Sequence, residues 1–172
     1  KWHADNTDAP GVLAARGLAG VEDIGGQKIL VLGAGGAARA VVRALHLAGA
    51  SLVILNRTES KAAELSETLT NRSATAGGVA GIEVESADVD LVVNTSGAGY
   101  GGKALDLPLG KDRLFLDISY GKAVEPQLIE ARNVGWRTED GLGMLVAQAA
   151  ESFHIWFGLR PDIPSALSVC RS

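Results

Sequence analysis

The chain has 172 residues, enough for one domain with a real core, and 47% of them are hydrophobic against 21% charged, the balance of a folded protein rather than a disordered one. A net charge of −4, with 16 basic residues that form no block, argues against a general nucleic-acid or membrane-surface binder. No apolar run approaches the roughly 18–20 residues that span a bilayer, no signal-peptide order opens the sequence, and the single cysteine, Cys170, excludes an internal disulfide, so a cytoplasmic, reducing location is expected.

In chain order, residues 9–19 (APGVLAARGLA) predict a helix with Pro10 in its first turn, where a missing N–H costs nothing. A turn over 22–27 leads to a short continuous apolar run, Ile29 to Leu32, which reads as a strand buried on both faces. Glycines follow, then a helical pattern from about Ala37 to Leu47 that stops at Gly49. Residues 51–57 predict a second buried strand and 59–72 a second helix. The small, glycine-rich stretch 73–81 reads as a loop and 82–86 (IEVES) as a short strand. A strand within 89–102 runs into a glycine-rich turn, and another occupies 113–120. Helix 126–135 ends at Gly135, 136–141 reads as a short strand, 144–159 as a long amphipathic helix, and the Pro-punctuated 159–172 as a tail with room for one more short helix. Trp136, Phe153 and Trp156 are expected in the core, the last two alternatively on a face that another domain covers. His3, His46 and His154 have no metal-ligand spacing, so no metal is expected. Cys170 reads as a passive thiol.

Strands alternating with helices predict an α/β fold: a doubly wound, mainly parallel Rossmann-type sheet with helices on both faces, binding its ligand beyond the carboxyl ends of the strands. The stretch GAGGAA, residues 33–38, fits G-x-G-x-x-G/A directly after a buried strand and at the start of a helix. In that setting Gly33 allows the tight turn, Gly35 lets a pyrophosphate approach the backbone, Ala38 lets helix and strand pack closely, and free N–H groups at the helix start hold phosphate. The next strand ends LNRTESK. NAD-preferring sites carry an acid there for the ribose 2′-OH. Here Asn56 is neutral, Arg57 can grip a 2′-phosphate, Thr58 can donate a hydroxyl or cap the next helix, and Lys61 adds a second cation one turn on. The cofactor expected from these residues is NADP(H). A nucleotide-binding methyltransferase would want an acid in place of Asn56–Arg57.

The order of NTD (residues 6–8), GAGGAA, NRT (56–58), an Asn-bearing strand end, D-x-x-Y (Asp117 to Tyr120) and DGLGMLVAQAAESF (140–153) resembles shikimate dehydrogenase over about residues 5–163. The resemblance implies reduction of 3-dehydroshikimate to shikimate with NADPH, in aromatic amino acid biosynthesis, by two α/β domains with a cleft between them. It assigns Gly33, Ala34, Gly35, Gly36 and Ala37 to the pyrophosphate, and Asn56, Arg57, Thr58 and Lys61 to the 2′-phosphate. Ile118, Gly141 and Met144 fall near the nicotinamide, Tyr120 and Gln148 reach the substrate, and Asp8 is the catalytic-site aspartate with Asn6 and Thr7 as motif neighbours. From spacing alone, Asp8 reads as a helix cap, Gln148 as a solvated polar position and Tyr120 as strand-end packing.

Against the family's usual pattern, Ala4 stands for a glycine, Asp5 for an aromatic residue, Lys122 for a proline, and NTSGAG (94–99) for N-A-T. The family's catalytic lysine belongs to a substrate domain well upstream of NTD, and only five residues precede Asn6 here. The expected organisation is therefore a hinge segment and linking helix in residues 1–20 and an NADP-binding domain with C-terminal helices in 21–172, with the N-terminal substrate domain absent from this chain and the chain alone inactive. A stand-alone NADP(H)-binding module and a quinate/shikimate dehydrogenase variant are the alternatives. The expected partners are the small-molecule substrate and the missing domain, with no nucleic acid and no membrane.

Overall fold

A computed structural model describes residues 5–21, 23–97 and 105–172. His3, Ala4 and the glycine-rich turn expected beyond Gly97 lie outside these residues. The strands are β1 (Lys28–Leu32), β2 (Ser51–Asn56), β3 (Thr75–Gly78), β4 (Leu91–Asn94), β5 (Leu114–Asp117) and β6 (Arg137–Glu139). They form one six-stranded sheet in the order β3-β2-β1-β4-β5-β6, and every pair is parallel. Leu32 is in register with Leu55 on one side and Asn94 on the other, and Asn94 with Asp117, so the carboxyl ends of four strands line one edge of the sheet. The order reverses at β1, between β2 and β4, which is where such a sheet leaves a crevice.

A parallel sheet must be covered on both faces, and alternate residues supply the two cores. Ile29, Val31, Leu52, Ile54, Leu91, Val93, Leu114 and Leu116 pack with α1 (Asp8–Leu18), α2 (Gly36–Leu47), α3 (Glu59–Thr70) and Met144 of α6 (Leu142–Phe157). Leu30, Leu32, Val53, Leu55, Val92 and Phe115 pack with α5 (Glu125–Asn133), Trp136 and, at the margin, Ile82 of α4 (Ile82–Glu85). Burial from both sides is why these strands carry continuous apolar runs. A last helix, α7 (Ile163–Arg171), is capped by Asp162, which accepts a hydrogen bond from Ser165 N at 2.9 Å.

One side chain stitches the amino ends of β4 and β5. Arg113 donates to the carbonyls of Leu109, Gly110, Ser86, Ala87 and Val89 at 2.7–3.1 Å, and its guanidinium lies 4.8 Å from the centre of the Trp136 ring.

Three sequence expectations are overturned. Within 73–81, residues 75–78 form β3, paired to β2 by backbone hydrogen bonds that need no particular side chain, and 79–81 make a 3-10 turn. Residues 82–85 are helical rather than extended: the Ser86 hydroxyl donates back to Ile82 O, and Val84 is 77% exposed, so the alternation of IEVE has no sheet face to serve. Trp136 is buried as expected, but Phe153 and Trp156 are 39% and 74% exposed, alongside exposed Ile155, Phe157 and Leu159. Among the described residues no helix is long and apolar enough to cross a membrane.

Candidate functional site

The turn after β1 is shaped by its glycines. Gly33 has φ +110°, and a Cβ there would lie 2.5 Å from Thr95 Oγ1 and 3.1 Å from Ser96 N, so only glycine fits between β1 and the end of β4. Its N–H donates to Leu55 O at 2.8 Å, and the Thr95 hydroxyl is held by Leu32 O at 2.7 Å. At Gly35 and Gly36, by contrast, a Cβ would meet nothing within 4 Å. The backbone is bare at the start of α2, whose N-cap is Gly35, with no side-chain cap and no acid in the first turn. Its unpaired N–H groups and the positive end of its dipole are left to an anion.

This helix end opens on a cleft of about 800 Å³ at the crevice between β2 and β4. Its walls include Gly33, Ala34 and Gly35, then Asn56, Arg57, Thr58 and Lys61 from the end of β2 and the start of α3, all seven of them singled out in the sequence. Asn56 is fixed by donating from Nδ2 to Thr58 O at 2.9 Å. Arg57 and Lys61 are exposed, and among the described residues neither side chain has a hydrogen-bond or ion-pair partner. Thr58 is the N-cap of α3 by position, but its hydroxyl makes no capping bond. Two cations and a free hydroxyl thus face an extended groove that begins at an uncapped helix. Of the remaining walls, Thr95, Ser96 and Gly97 belong to the NTSGAG strand end noted in the sequence, whereas Leu32, Val79, Ile82, Leu105 and Asp106 were not singled out there. Those beyond β3 and β4 reach the cleft only because these strands flank β2 and β1, a fact of strand order.

Gly36 and Ala37 open α2, but they, Ile118, Gly141, Met144, Tyr120, Gln148 and residues 6–8 do not wall this cleft. Ile118 and Gly141 are nevertheless in close apposition: a Cβ on Gly141 would fall 1.8 Å from Ile118 O, and Gly141 N donates to Ser119 O at 2.8 Å. Beneath them sits a fully buried polar pair. Asn94 Nδ2 donates to Asp117 Oδ2 at 2.6 Å, Asn94 Oδ1 accepts from Ser96 N and Oγ, and Asp117 Oδ1 accepts from Ser119 N at 2.8 Å. Burial pushes the Asp117 carboxyl above its ordinary value, and the Asp140 charge adds to the rise, against the hydrogen bonds from Ser119 and Asn94 that favour the carboxylate.

The NTD segment lies against α6. Gly11 makes this possible, since a Cβ there would already be 3.2 Å from Gln148 Cβ and from Met144 O. The Thr7 and Ser152 hydroxyls are 3.3 Å apart, and Ser152 also donates to Gln148 O. Thr7 and Gly11, at the start of α1, therefore meet the Met144–Ser152 stretch of α6. The cap reading of Asp8 is corrected: Asn6 Oδ1 accepts from Asp8 N and Ala9 N at 3.1 and 3.3 Å, and Asp8 itself is the first helical residue. That leaves the Asp8 carboxylate half-exposed and without a capping duty. Tyr120 is 45% exposed. A smaller hollow of about 280 Å³, lined by Ala15, Gly143 and Leu167 among others, holds none of the predicted residues and is spanned by Arg171, 3.2 Å from Glu139 and 3.7 Å from Asp140. Among the described residues no group of three or more His, Cys, Asp or Glu side chains could hold a metal ion.

Strand order, glycine turn and cationic cleft define a Rossmann-type α/β domain built to receive an extended anionic ligand. Residues 14–143 match the family model for shikimate/quinate 5-dehydrogenase, and residues 141–168 that for the shikimate 5′-dehydrogenase C-terminal domain. The chain belongs to the shikimate/quinate 5-dehydrogenase family. It is 46% identical to the shikimate dehydrogenase (NADP(+)) of Hyphomonas neptunium, over 99% of this chain and 62% of that protein. Among solved structures, an Ael1 enzyme from Pseudomonas putida aligns with TM-score 0.85 at 35% identity, over 96% of this chain and 62% of the other. The shikimate 5-dehydrogenase of Thermus thermophilus, solved with NADP(H) and shikimate, aligns with TM-score 0.80 at 33% identity and the same coverage. The chain thus spans 62% of the length of each of these relatives.

Proposed function

We propose that this chain is the cofactor-holding part of an NADP(H)-dependent shikimate dehydrogenase, which reduces 3-dehydroshikimate to shikimate. The observation that carries the reading is the pairing, in one cleft, of an uncapped α2 N-terminus with Arg57 and Lys61 and no acid at the end of β2. These residues fit an NADP(H) molecule. The N–H groups of Gly36 and Ala37 would take the pyrophosphate, and Arg57, Lys61 and the Thr58 hydroxyl the 2′-phosphate, with Asn56 shaping the turn beside them. Gly33, Ala34 and Gly35 keep the approach clear. The cofactor, when bound, supplies the hydride.

The chain's own part is to orient the ring and manage the proton. The backbone at Ile118 and Gly141 and the side chain of Met144 would flank the nicotinamide end. Asp8, with Asn6 and Thr7 fixing the chain around it, and Gln148 and Tyr120 would face the substrate. In this reading Asp8 holds a lysine ammonium charged and aligned at the oxygen that gains the proton, and the family resemblance places that lysine upstream of residue 6. The 172 residues alone are therefore expected to bind NADPH without turning over shikimate. Measurable turnover by this chain would refute the role given to the lysine.

Fluorescence titration with NADPH and NADH tests the cofactor assignment. NADPH binds at least about tenfold tighter than NADH, and Arg57→Ala removes most of that preference, the loss of one bidentate charge-assisted contact. If Arg57→Ala leaves NADPH affinity unchanged, the 2′-phosphate is not held there.

A further inference from the structure

The buried pair at the carboxyl ends of β4 and β5 is not explained by packing. Asn94 and Asp117 are both wholly buried in strands whose other residues are apolar. Well-packed hydrophobic residues in such places are as stable as a buried charge or more so. What the pair does is join two turns. Through Ser96 it fixes the turn after β4, whose Thr95 forms the wall against which Gly33 is pressed. Through Ser119 it fixes the turn after β5, whose Ile118 O lies against Gly141 and whose Ser119 O accepts from Gly141 N. Ile118 N in turn donates to Asn94 O at 3.0 Å.

We infer that Asn94 and Asp117 are a positioning pair for the bound dinucleotide: they set the register between the phosphate-binding turn at Gly33–Gly35 and the Ile118–Gly141 contact, so that one extended ligand is held at both ends. The inference rests on the NADP(H) reading above. The donor and acceptor pattern makes it specific. Asn94 Nδ2 needs an acceptor on Asp117, and Asp117 must accept from both Asn94 Nδ2 and Ser119 N. Asp117→Asn sets two amide N–H groups against each other, and turning either amide round sets its NH₂ against the N–H of Ser96 or Ser119. Exchanging the two residues, Asn94→Asp with Asp117→Asn, satisfies every bond again: Asp at 94 accepts from Ser96 and from the amide at 117, whose oxygen accepts from Ser119 N.

Two ligands separate positioning from general stability. Adenosine 2′,5′-bisphosphate spans only the Arg57–Lys61 end and the first phosphate, whereas NADP⁺ extends past the Thr95 wall. Binding of both to the 172-residue chain is measured by calorimetry. In Asp117→Asn the NADP⁺ affinity falls about tenfold while that of the bisphosphate stays within about twofold, and the exchanged double variant regains the wild-type ratio. If Asp117→Asn does not fold, Asp117→Ser, smaller and uncharged, carries the same comparison with the same expected direction. A loss shared equally by the two ligands, no loss, or a double variant that stays defective overturns the inference. A wild-type chain that binds neither ligand overturns the NADP(H) reading instead.

Discussion

Gly141→Ala is the sharpest test of how closely β5 and α6 approach. Gly141 has φ −75° and ψ −1°, which any residue adopts, so the cost of a side chain there is steric alone. The added Cβ would stand 1.8 Å from Ile118 O, 2.3 Å from its carbonyl carbon and 2.9 Å from its Cα. All three are backbone atoms tied into the β5 end, so relief requires the strand end and the helix start to part by more than an ångström. Overpacking of this kind costs about 1–3 kcal/mol, and separation also sacrifices the Gly141 N–Ser119 O bond, about 1 kcal/mol. The sum, about 3 kcal/mol, lowers Tm by about 6–12 °C for a chain of this size. Differential scanning calorimetry of Gly141→Ala beside Gly36→Ala supplies the comparison, because a Cβ on Gly36 meets nothing within 4 Å. Gly36→Ala leaves Tm unchanged or raises it by up to about 4 °C, since alanine is the better helix former. A Gly141→Ala protein that melts within about 2 °C of the wild type refutes the close approach, and with it the apposition of Ile118 and Gly141.

Arg113→Met abandons the carbonyls of Ser86, Val89 and Leu109 and removes the guanidinium from the Trp136 ring; it costs about 2–4 kcal/mol, read as a lower urea midpoint, with NADPH affinity unchanged because Arg113 does not line the cleft. The raised pKa of Asp117 fixes a sign for pH dependence. A carboxyl that holds its proton more tightly when folded adds stability that is complete below its unfolded value of about 3.9 and is lost as pH rises through the folded value. The stability advantage of wild type over Asp117→Asn therefore narrows as pH rises above about 4 in urea titrations. An advantage that widens with pH contradicts the raised pKa.

The four central strands were legible because a strand buried on both faces is a near-continuous apolar run, and LVVN and LFLD depart from it only at their last residue. The edge strand β3 was not: TAGG gains its conformation from the free edge of β2, and nothing in its side chains announces that. IEVES misled because four alternating residues fit a strand and one helical turn equally, and only the missing sheet face decides. The same division runs through the candidate site. Gly33–Gly35 and Asn56–Lys61 were legible, since each stretch carries its own chemistry at the end of its own strand. The strand end at Thr95 and Ser96 was legible too, but Val79, Ile82, Leu105 and Asp106 were not, because their place in the cleft depends on how the segments after β3 and β4 return to the sheet. Asn6 was credited as a neighbour of Asp8; that it, rather than Asp8, closes the helix start follows from the chain's path into α1.

The place of β1 in the strand order has a consequence for how the domain assembles. Its partner β2 follows after a single helix, but its other partner, β4, arrives only after the chain has built α3, β3 and α4. Closing that longer loop is the slower event, so a chain in which only β1, α2 and β2 have come together holds the glycine turn with one wall. Thr95 completes the other wall when β4 docks. Ligand that needs both walls binds only the finished sheet, and its binding free energy is added to the stability of the whole fold rather than to the turn it touches.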